Sequence, residues 1–381
     1  MQYTHTVFSQ LLKELPRYRF ERFVKRHQSD FRTRKLRSWD QFIAMIFSQL
    51  SGRKSLRDLE SSFNSHHNHF YHLGTHPIHR STLADANNSR SVELYKDIFF
   101  DLLPKVTSKT AREAEEMIHI LDASTIKLNQ TRFAWALGHG KFSEVKIHTV
   151  YDPQEDIPTY FDVTHGFVGE MTTAKRLELT AKATYIFDRA YYDYKWWKQL
   201  EDHQCRFVTR LKKNCCRKIV KTQDCQGNIL QDQIVLIGTK KHRKAYAKPL
   251  REIVIQVPGE RKPLSIVTND LKSDAQEIAD LYKKRWQIEI FFKWIKQNLK
   301  IKTFLGTSEN AVKIQILTAM ITYLLLRLWQ NMTAFKESLH TFARTLQTNL
   351  MTRKRIWELF KPPPIRPKSN QLQLNMEEIY A

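Results

Sequence analysis

Three acids stand where their surroundings give a carboxylate little reason to be. Asp122 follows the apolar run in "MIHILDAS", Asp188 follows the one in "TYIFDRAYY", and Glu289 lies in "DLYKKRWQIEIFFKWIKQNLK" (280–300), which is apolar nearly all round. Acids at strand ends and on a neighbouring helix can converge on one point at a sheet edge. Three carboxylates together repel one another unless divalent cations neutralise them. Mg²⁺ suits that role, because it takes oxygen ligands and keeps positions open for phosphate and water. Two such ions roughly 4 Å apart activate an attacking oxygen and stabilise a leaving one in phosphodiester chemistry. The residue types therefore point to metal-assisted phosphoryl transfer.

Glu289 does not stand alone on its segment. Read as one helix at about 100° per residue, residues 280–300 bring Tyr282, Arg285, Glu289 and Lys296 within roughly 60° of one another. A helix this apolar is expected to be buried, and a buried Glu between two cations needs pairing, a metal or an anion to offset its desolvation. Arg285 could hold a phosphate by a bidentate fork and Lys296 by a point charge. The bland reading is a buried ion-pair network. Asp152, in an Asp-Pro turn, and Asp162, one strand out, compete for the role of acid, so the residue pattern alone leaves the trio open.

The elements that would position these residues follow from patterning. Short β-branched or alternating runs from Met117 to about Lys212, bounded by Pro, Asp or Gly, read as strands of a central mixed sheet flanked by helices. Residues 169–183 and the segment after Asp188 are helix-compatible. Residues 212–270 hold further short strands and read as a β-rich insertion before the Glu289 helix. The first hundred residues read as helical and basic, with helices over Val7–Leu15, Phe20–His27, Ser38–Leu50 and Ser55–Phe63, Ser38 as an N-cap and Gln41 in the capping-box position. A loop and a short helix beginning at His79, Arg80 and Ser81 suit helix-turn-helix docking. The tail from Lys361 is Pro-rich and then polar.

Bulk composition narrows the partners. The chain has 381 residues, a hydrophobic fraction of 41% and a net charge of +23, which describes a folded protein that attracts polyanions. The most apolar stretch, Ile316 to Met332, is broken by Thr318, Thr322 and Arg327 and is too short in its apolar core for the ~18 residues of a span; a buried helix and no membrane role are expected. No signal-peptide pattern opens the sequence, so the cytoplasm is the expected compartment. Cys205, Cys215, Cys216 and Cys225 lack the spacing of a structural zinc site and read as reduced thiols. The run His66, His67, His69, His72, His76 and His79 reads as a solvated loop.

Tyr282-x2-Arg285-x3-Glu289-x6-Lys296 resembles the Tyr-Arg-Glu-Lys signature of DDE transposases of insertion-sequence family four. "LDASTIKL", "FAWALGHGKFSEVKIHTVYDP" and "IFDRAYYD" resemble that family's blocks around its first and second Asp, over roughly residues 115–305. Ala190 stands where the family usually has Gly. The resemblance implies an α+β chain with a ribonuclease H-like mixed-sheet core (115–211 plus 271–335), a β-rich insertion (212–270), a helical N-terminal DNA-binding region (1–105) and a helical C-terminal segment and tail (336–381). It implies Asp122, Asp188 and Glu289 as catalytic ligands of two Mg²⁺ ions, with Mn²⁺ as a substitute. Tyr282, Arg285 and Lys296 would contact the phosphates of the transposon end. The partners implied are the transposon-end duplex, target DNA and a second copy of the chain on DNA, in the nucleoid-associated cytoplasm of a bacterium. An aromatic that stacks on a flipped base is also implied, for which Trp286 and the insertion are the places to look. Two rivals stand beside this expectation: a nuclease without strand transfer, and a non-catalytic DNA-binding protein.

Overall fold

A computed structural model describes residues 5–107, 112–136, 138, 142–212, 214–239, 245–259 and 261–361. The polar tail expected after Lys361 lies outside them.

Among the described residues, nine strands form one mixed sheet. Ile118–Leu128 (β1) pairs antiparallel with Ser143–Asp152 (β2), which pairs antiparallel with Ile157–His165 (β3). Thr184–Phe187 (β4) lies parallel to β1 on its other side, and Arg206–Arg210 (β5) lies parallel to β4. Every residue of β4 is buried, as a central parallel strand covered on both faces must be. The strands of the 212–270 stretch do not form a separate layer. Arg217–Thr222 (β6), Ile229–Ile237 (β7), Leu250–Ile255 (β8) and Leu264–Thr268 (β9) continue the same sheet, because β9 pairs antiparallel with β5. The full order is β3-β2-β1-β4-β5-β9-β8-β7-β6.

Among the described residues, seven α-helices precede the sheet: Val7–Leu11 (α1), Arg17–Arg26 (α2), Ser38–Ser51 (α3), Leu56–Asn64 (α4), Phe70–Leu73 (α5), Arg80–Ser89 (α6) and Val92–Val106 (α7). Ser38 is not the cap of α3. Arg37 holds the N-cap position and its backbone N–H donates to the Asp40 carboxylate at 3.0 Å, while Ser38 donates its N–H and hydroxyl to Asp30, both at 2.7 Å. Within the sheet region, Glu170–Ala174 (α8) covers only the first part of the helix-compatible stretch 169–183, and Tyr194–Asp202 (α9) follows Asp188. Ala275–Lys283 (α10), Trp286–Asn298 (α11), Glu309–Met332 (α12), Leu339–Asn349 (α13) and Ile356–Leu359 (α14) complete the described chain.

Side-chain alternation sorts the sheet into two faces. Tyr185, Phe187 and Phe207 face a smaller core with Trp196 and Trp197 of α9. Ile118, Ile120, Ile186 and Val208 face the larger one, shared with α3, α7, α11 and α12. The long α12 is the hub of that larger core, with 89% of its most apolar window buried. It is the one described helix long and apolar enough to cross a membrane. Its polar interruptions are satisfied locally. Thr318 and Thr322 donate to carbonyls one turn back at 2.7 and 2.8 Å, and Arg327 pairs with Asp156 in the turn between β2 and β3. Asp122 shares its parity with Ile118 and Ile120, and Asp188 shares its parity with Ile186. Both acids are therefore presented on the side of the sheet where α11 packs.

Candidate active site

Asp122 does not end its strand: it lies within β1, which runs on to Leu128, while Asp188 follows the last residue of β4, and the parallel pairing of Leu121 with Phe187 sets the two acids side by side. Asp122 Oδ1 accepts from the Ala123 N–H at 2.8 Å, which leaves Oδ2 facing across the sheet towards α11. Asp188 caps a single turn of 3₁₀ helix, Arg189–Tyr191, by accepting the Ala190 N–H at 2.8 Å. Ala190 is exposed and its backbone is outside the left-handed region, so a side chain at this position brings no strain. Thr209 of β5 donates its hydroxyl to the Asp188 carbonyl at 3.2 Å and fixes the turn from the next strand.

Residues 280–300 are not one continuous α-helix. The chain tightens between α10 and α11, where the Arg285 N–H donates to the Tyr282 carbonyl at 3.0 Å and the Ile288 N–H to the Arg285 carbonyl at 3.3 Å. Such a 3₁₀ turn inside a helix marks a hinge or a strained sequence. Lys284 and Arg285 keep right-handed angles (φ −59° and −54°), so the four residues stay on one side despite the tightening. Full burial of Glu289 does not hold. Its side chain is 34% exposed, and Trp286 and Ile290 beside it are more than half exposed, because that flank of α11 faces out of the core.

Arg285 joins the acids. Its guanidinium stands 3.6 Å from Asp122 Oδ2 and hydrogen-bonds Glu289 one turn along. Lys296 reaches the same strand from the far end of α11, with Nζ donating to the Thr125 carbonyl at 2.9 Å. Tyr282 lies under the guanidinium, its ring centre 5.9 Å from Arg285 Cζ. Among the described residues, the buried Tyr282 hydroxyl and Arg285 Nε make no hydrogen bond, although the Arg285 guanidinium interacts electrostatically with the phenol. Such orphaned groups are rare in folded proteins.

Electrostatics mark Asp122 as the stressed member. Burial pushes its carboxyl up to about 6, and the charges of Asp188 and Glu289 push the same way, against the Ala123 N–H and the Arg285 guanidinium. Burial and the neighbouring Lys302 lower the Lys296 ammonium, while Asp122 opposes the shift. Burial raises the Tyr282 phenol to about 12. Among the described residues no three His, Cys, Asp or Glu side chains converge closely enough in this arrangement to hold one ion. The guanidinium does the neutralising instead. An all-oxygen set whose like charges already draw in a cation nevertheless has the donor chemistry that a hard divalent ion requires.

The competing acids are engaged elsewhere. Asp152 is buried against Arg112 at 2.6 Å and accepts two backbone N–H groups of its turn. Asp162 lines a separate groove of about 280 Å³ with Lys96 and Lys313. The four cysteines are free thiols. Tyr191, in the turn that Asp188 caps, is brought within electrostatic reach of Asp122, and Thr209 to Asp188, only by strand pairing, so neither was legible in advance.

Comparison with known proteins agrees with this geometry. A family described as "Transposase DDE domain" matches residues 113–325, and a domain of unknown function matches residues 3–76. A putative transposase of Sinorhizobium fredii is 35% identical over 291 residues, covering 75% of this chain and 81% of that protein. A probable transposase for an insertion sequence element of Geobacillus stearothermophilus is 28% identical, over 66% of this chain and 67% of its own length. A putative insertion-sequence transposase of Synechocystis is 27% identical, over 65% and 71% respectively. With more than half its length in the first match and every site residue inside it, the chain belongs to the DDE transposase family.

Proposed function

We propose that this transposase is of the insertion-sequence family four type and that Asp122, Asp188 and Glu289 are its catalytic trio. The observation that carries the reading is the gathering of Asp122, Glu289 and Arg285 on one face of the sheet, with Asp188 just past the end of the neighbouring strand β4. The sheet order β3-β2-β1-β4-β5 supports a ribonuclease H-like core, with β6 to β9 as the insertion between β5 and α10. The trio would hold Mg²⁺, two ions in the reading favoured here, or Mn²⁺ in its place. Bound there, divalent ions supply activation of the attacking oxygen and stabilisation of the leaving one in an in-line displacement.

The chain's own residues do the rest. Tyr282 and Arg285 offer buried, uncommitted donors to the phosphates of the element end, and Lys296 adds a point charge from the last turn of α11. Exposed Trp286 lies beside Arg285, where an aromatic could take an unstacked base. Arg285 and Lys296 would hold the phosphodiester beside the metal-holding acids, first for attack by water, which releases a 3′-hydroxyl, and then for attack by that hydroxyl on a target phosphodiester, so cleavage and strand transfer share one site with no covalent protein intermediate. The N-terminal region 1–105 would grip DNA beyond the end, the helices within residues 336–361 would complete the helical layer, and two ends would be joined by a dimer acting in the bacterial cytoplasm. The +23 charge supports several duplex contacts.

The test uses purified protein and a duplex carrying the element's end, with Mg²⁺ or EDTA, beside Asp122→Asn, Asp188→Asn and Glu289→Gln. Metal-dependent 3′-end cleavage and joining, lost in all three variants, is the expected result. Tight binding without cleavage under any metal moves the protein to the DNA-binding class. Cleavage without joining makes it a nuclease.

A further inference from the structure

We infer that Arg285 makes divalent-cation binding conditional on DNA. In the free protein its guanidinium serves as the counter-ion of Asp122 and Glu289, and a phosphate of the element end draws it away. The inference rests on the reading of Asp122, Asp188 and Glu289 as cation ligands.

Three observations lead there. The guanidinium touches both acids at once, 3.6 Å from Asp122 Oδ2 and bonded to Glu289, and it holds the position from which a cation would neutralise them. Lys296 lies within electrostatic reach of Asp122 but spends its hydrogen bond on the Thr125 carbonyl, so no second side-chain cation bonds these two carboxylates among the described residues. Arg285 Nε and the Tyr282 hydroxyl keep unpaired donors at the same spot, so a phosphate has something to engage before Arg285 leaves the acids.

An always-charged guanidinium and a divalent ion repel each other and compete for the same oxygens. Arg285 gives up its two carboxylates at low cost only where another anion takes them over, and a phosphate does so with a bidentate geometry that Lys cannot match. Its place in the 3₁₀ turn between α10 and α11 gives the side chain a backbone joint rather than a rigid helix interior. Two arrangements follow: Arg285 on the acids, or Arg285 on DNA with the acids exposed to cations. DNA and cation both favour the second, so each raises the affinity of the other by the same factor. The free protein thereby avoids assembling a loaded nuclease site before its substrate is in place.

The experiment measures Mn²⁺ affinity by the paramagnetic resonance signal of the free ion, using full-length protein. Wild type, Arg285→Gln, Lys296→Gln and Asp122→Asn are compared with and without saturating end duplex, and the Asp122→Asn complex gives the background of ions held by DNA alone. In wild type, duplex is expected to tighten Mn²⁺ binding about tenfold, a typical coupling between two sites. Arg285→Gln is expected to bind Mn²⁺ about tenfold more tightly without DNA and to gain less than about twofold from it. Lys296→Gln removes the same charge without freeing a carboxylate, so its Mn²⁺ affinity without DNA is expected to rise less than that of Arg285→Gln. Arg285→Lys keeps the charge but cannot span both acids, so it shifts part-way; it carries the test if the Gln variant folds poorly. Equal Mn²⁺ affinity in wild type with and without duplex overturns the inference while leaving the trio intact, as do equal shifts in Arg285→Gln and Lys296→Gln. Mn²⁺ binding no different from Asp122→Asn in every state overturns both the inference and the trio.

Discussion

Lys296 Nζ donates to the carbonyl of Thr125 at 2.9 Å, three residues beyond Asp122 on the same strand. This bond pegs the last turn of α11 to β1, and the Arg285 contact with Asp122 pegs the first. Glu289, between the two pegs, is thereby held in register with Asp122. The helix that supplies one acid is thus fastened at both ends to the strand that supplies another.

Loss of the distal peg should be felt in chemistry as well as in binding. Lys296→Met removes the bond to Thr125 and one cationic contact to DNA. Single-turnover cleavage is expected to fall by about tenfold to a hundredfold, the usual cost of misplacing reacting groups by about an ångström. In the same variant the slope of log affinity for end duplex against log salt is expected to shrink by about one. An unchanged salt slope with lost cleavage would assign Lys296 to positioning alone.

Asp122 should show its strain as a pH-dependent stability. Its carboxyl titrates near 6 in the native protein and near 3.8 when unperturbed. Between those values the native state binds more protons than the unfolded one, so this residue's contribution to stability declines as pH rises through the window. Above pH 6 the full cost is present. Asp122→Asn mimics the protonated form and is expected to raise stability at pH 8 by on the order of 2–3 kcal/mol, with little change at pH 4. Urea unfolding midpoints at the two pH values check this. A destabilised variant at pH 8 would mean that Asp122 gains more from Arg285 than it loses to burial.

Tyr282 separates stability from binding. Its hydroxyl is buried without a partner, so Tyr282→Phe is expected to be neutral or stabilising by about 1 kcal/mol. The same change removes the donor proposed for DNA and is expected to weaken end-duplex binding about fivefold to tenfold, the worth of one hydrogen bond to a charged group. Thermal unfolding and fluorescence anisotropy read the two effects. Destabilisation without weaker binding would make the hydroxyl a structural group.

Sequence by itself determined the chemistry-bearing residues and the elements that carry them. The apolar runs ending in Asp122 and Asp188 needed only period-two burial to read as strands, and the spacing Tyr282, Arg285, Glu289, Lys296 needed only the helical repeat to fall on one side. Those are local properties, fixed by backbone geometry within a few residues. What the pattern misjudged was also local but finely balanced. The 3₁₀ tightening at Lys284 and Arg285 keeps the same side chains on the same side, so periodicity carries no mark of it. The cap of α3 fell to Arg37 and Asp40 because Asp30 had taken Ser38, a contact from outside the helix.

Only the tertiary structure decided which acids meet and what stands between them. The parallel register of β1 with β4 sets Asp122 beside Asp188, and Arg112 takes Asp152 out of contention. Continuation of the sheet from β5 into β9 makes the insertion part of the same layer. Arg285 lies on the acids because Asp122 and Glu289, with Asp188 nearby, place negative charge at that point in space. No spacing along the chain expresses that placement, since it arises from charges brought together from residues far apart in sequence.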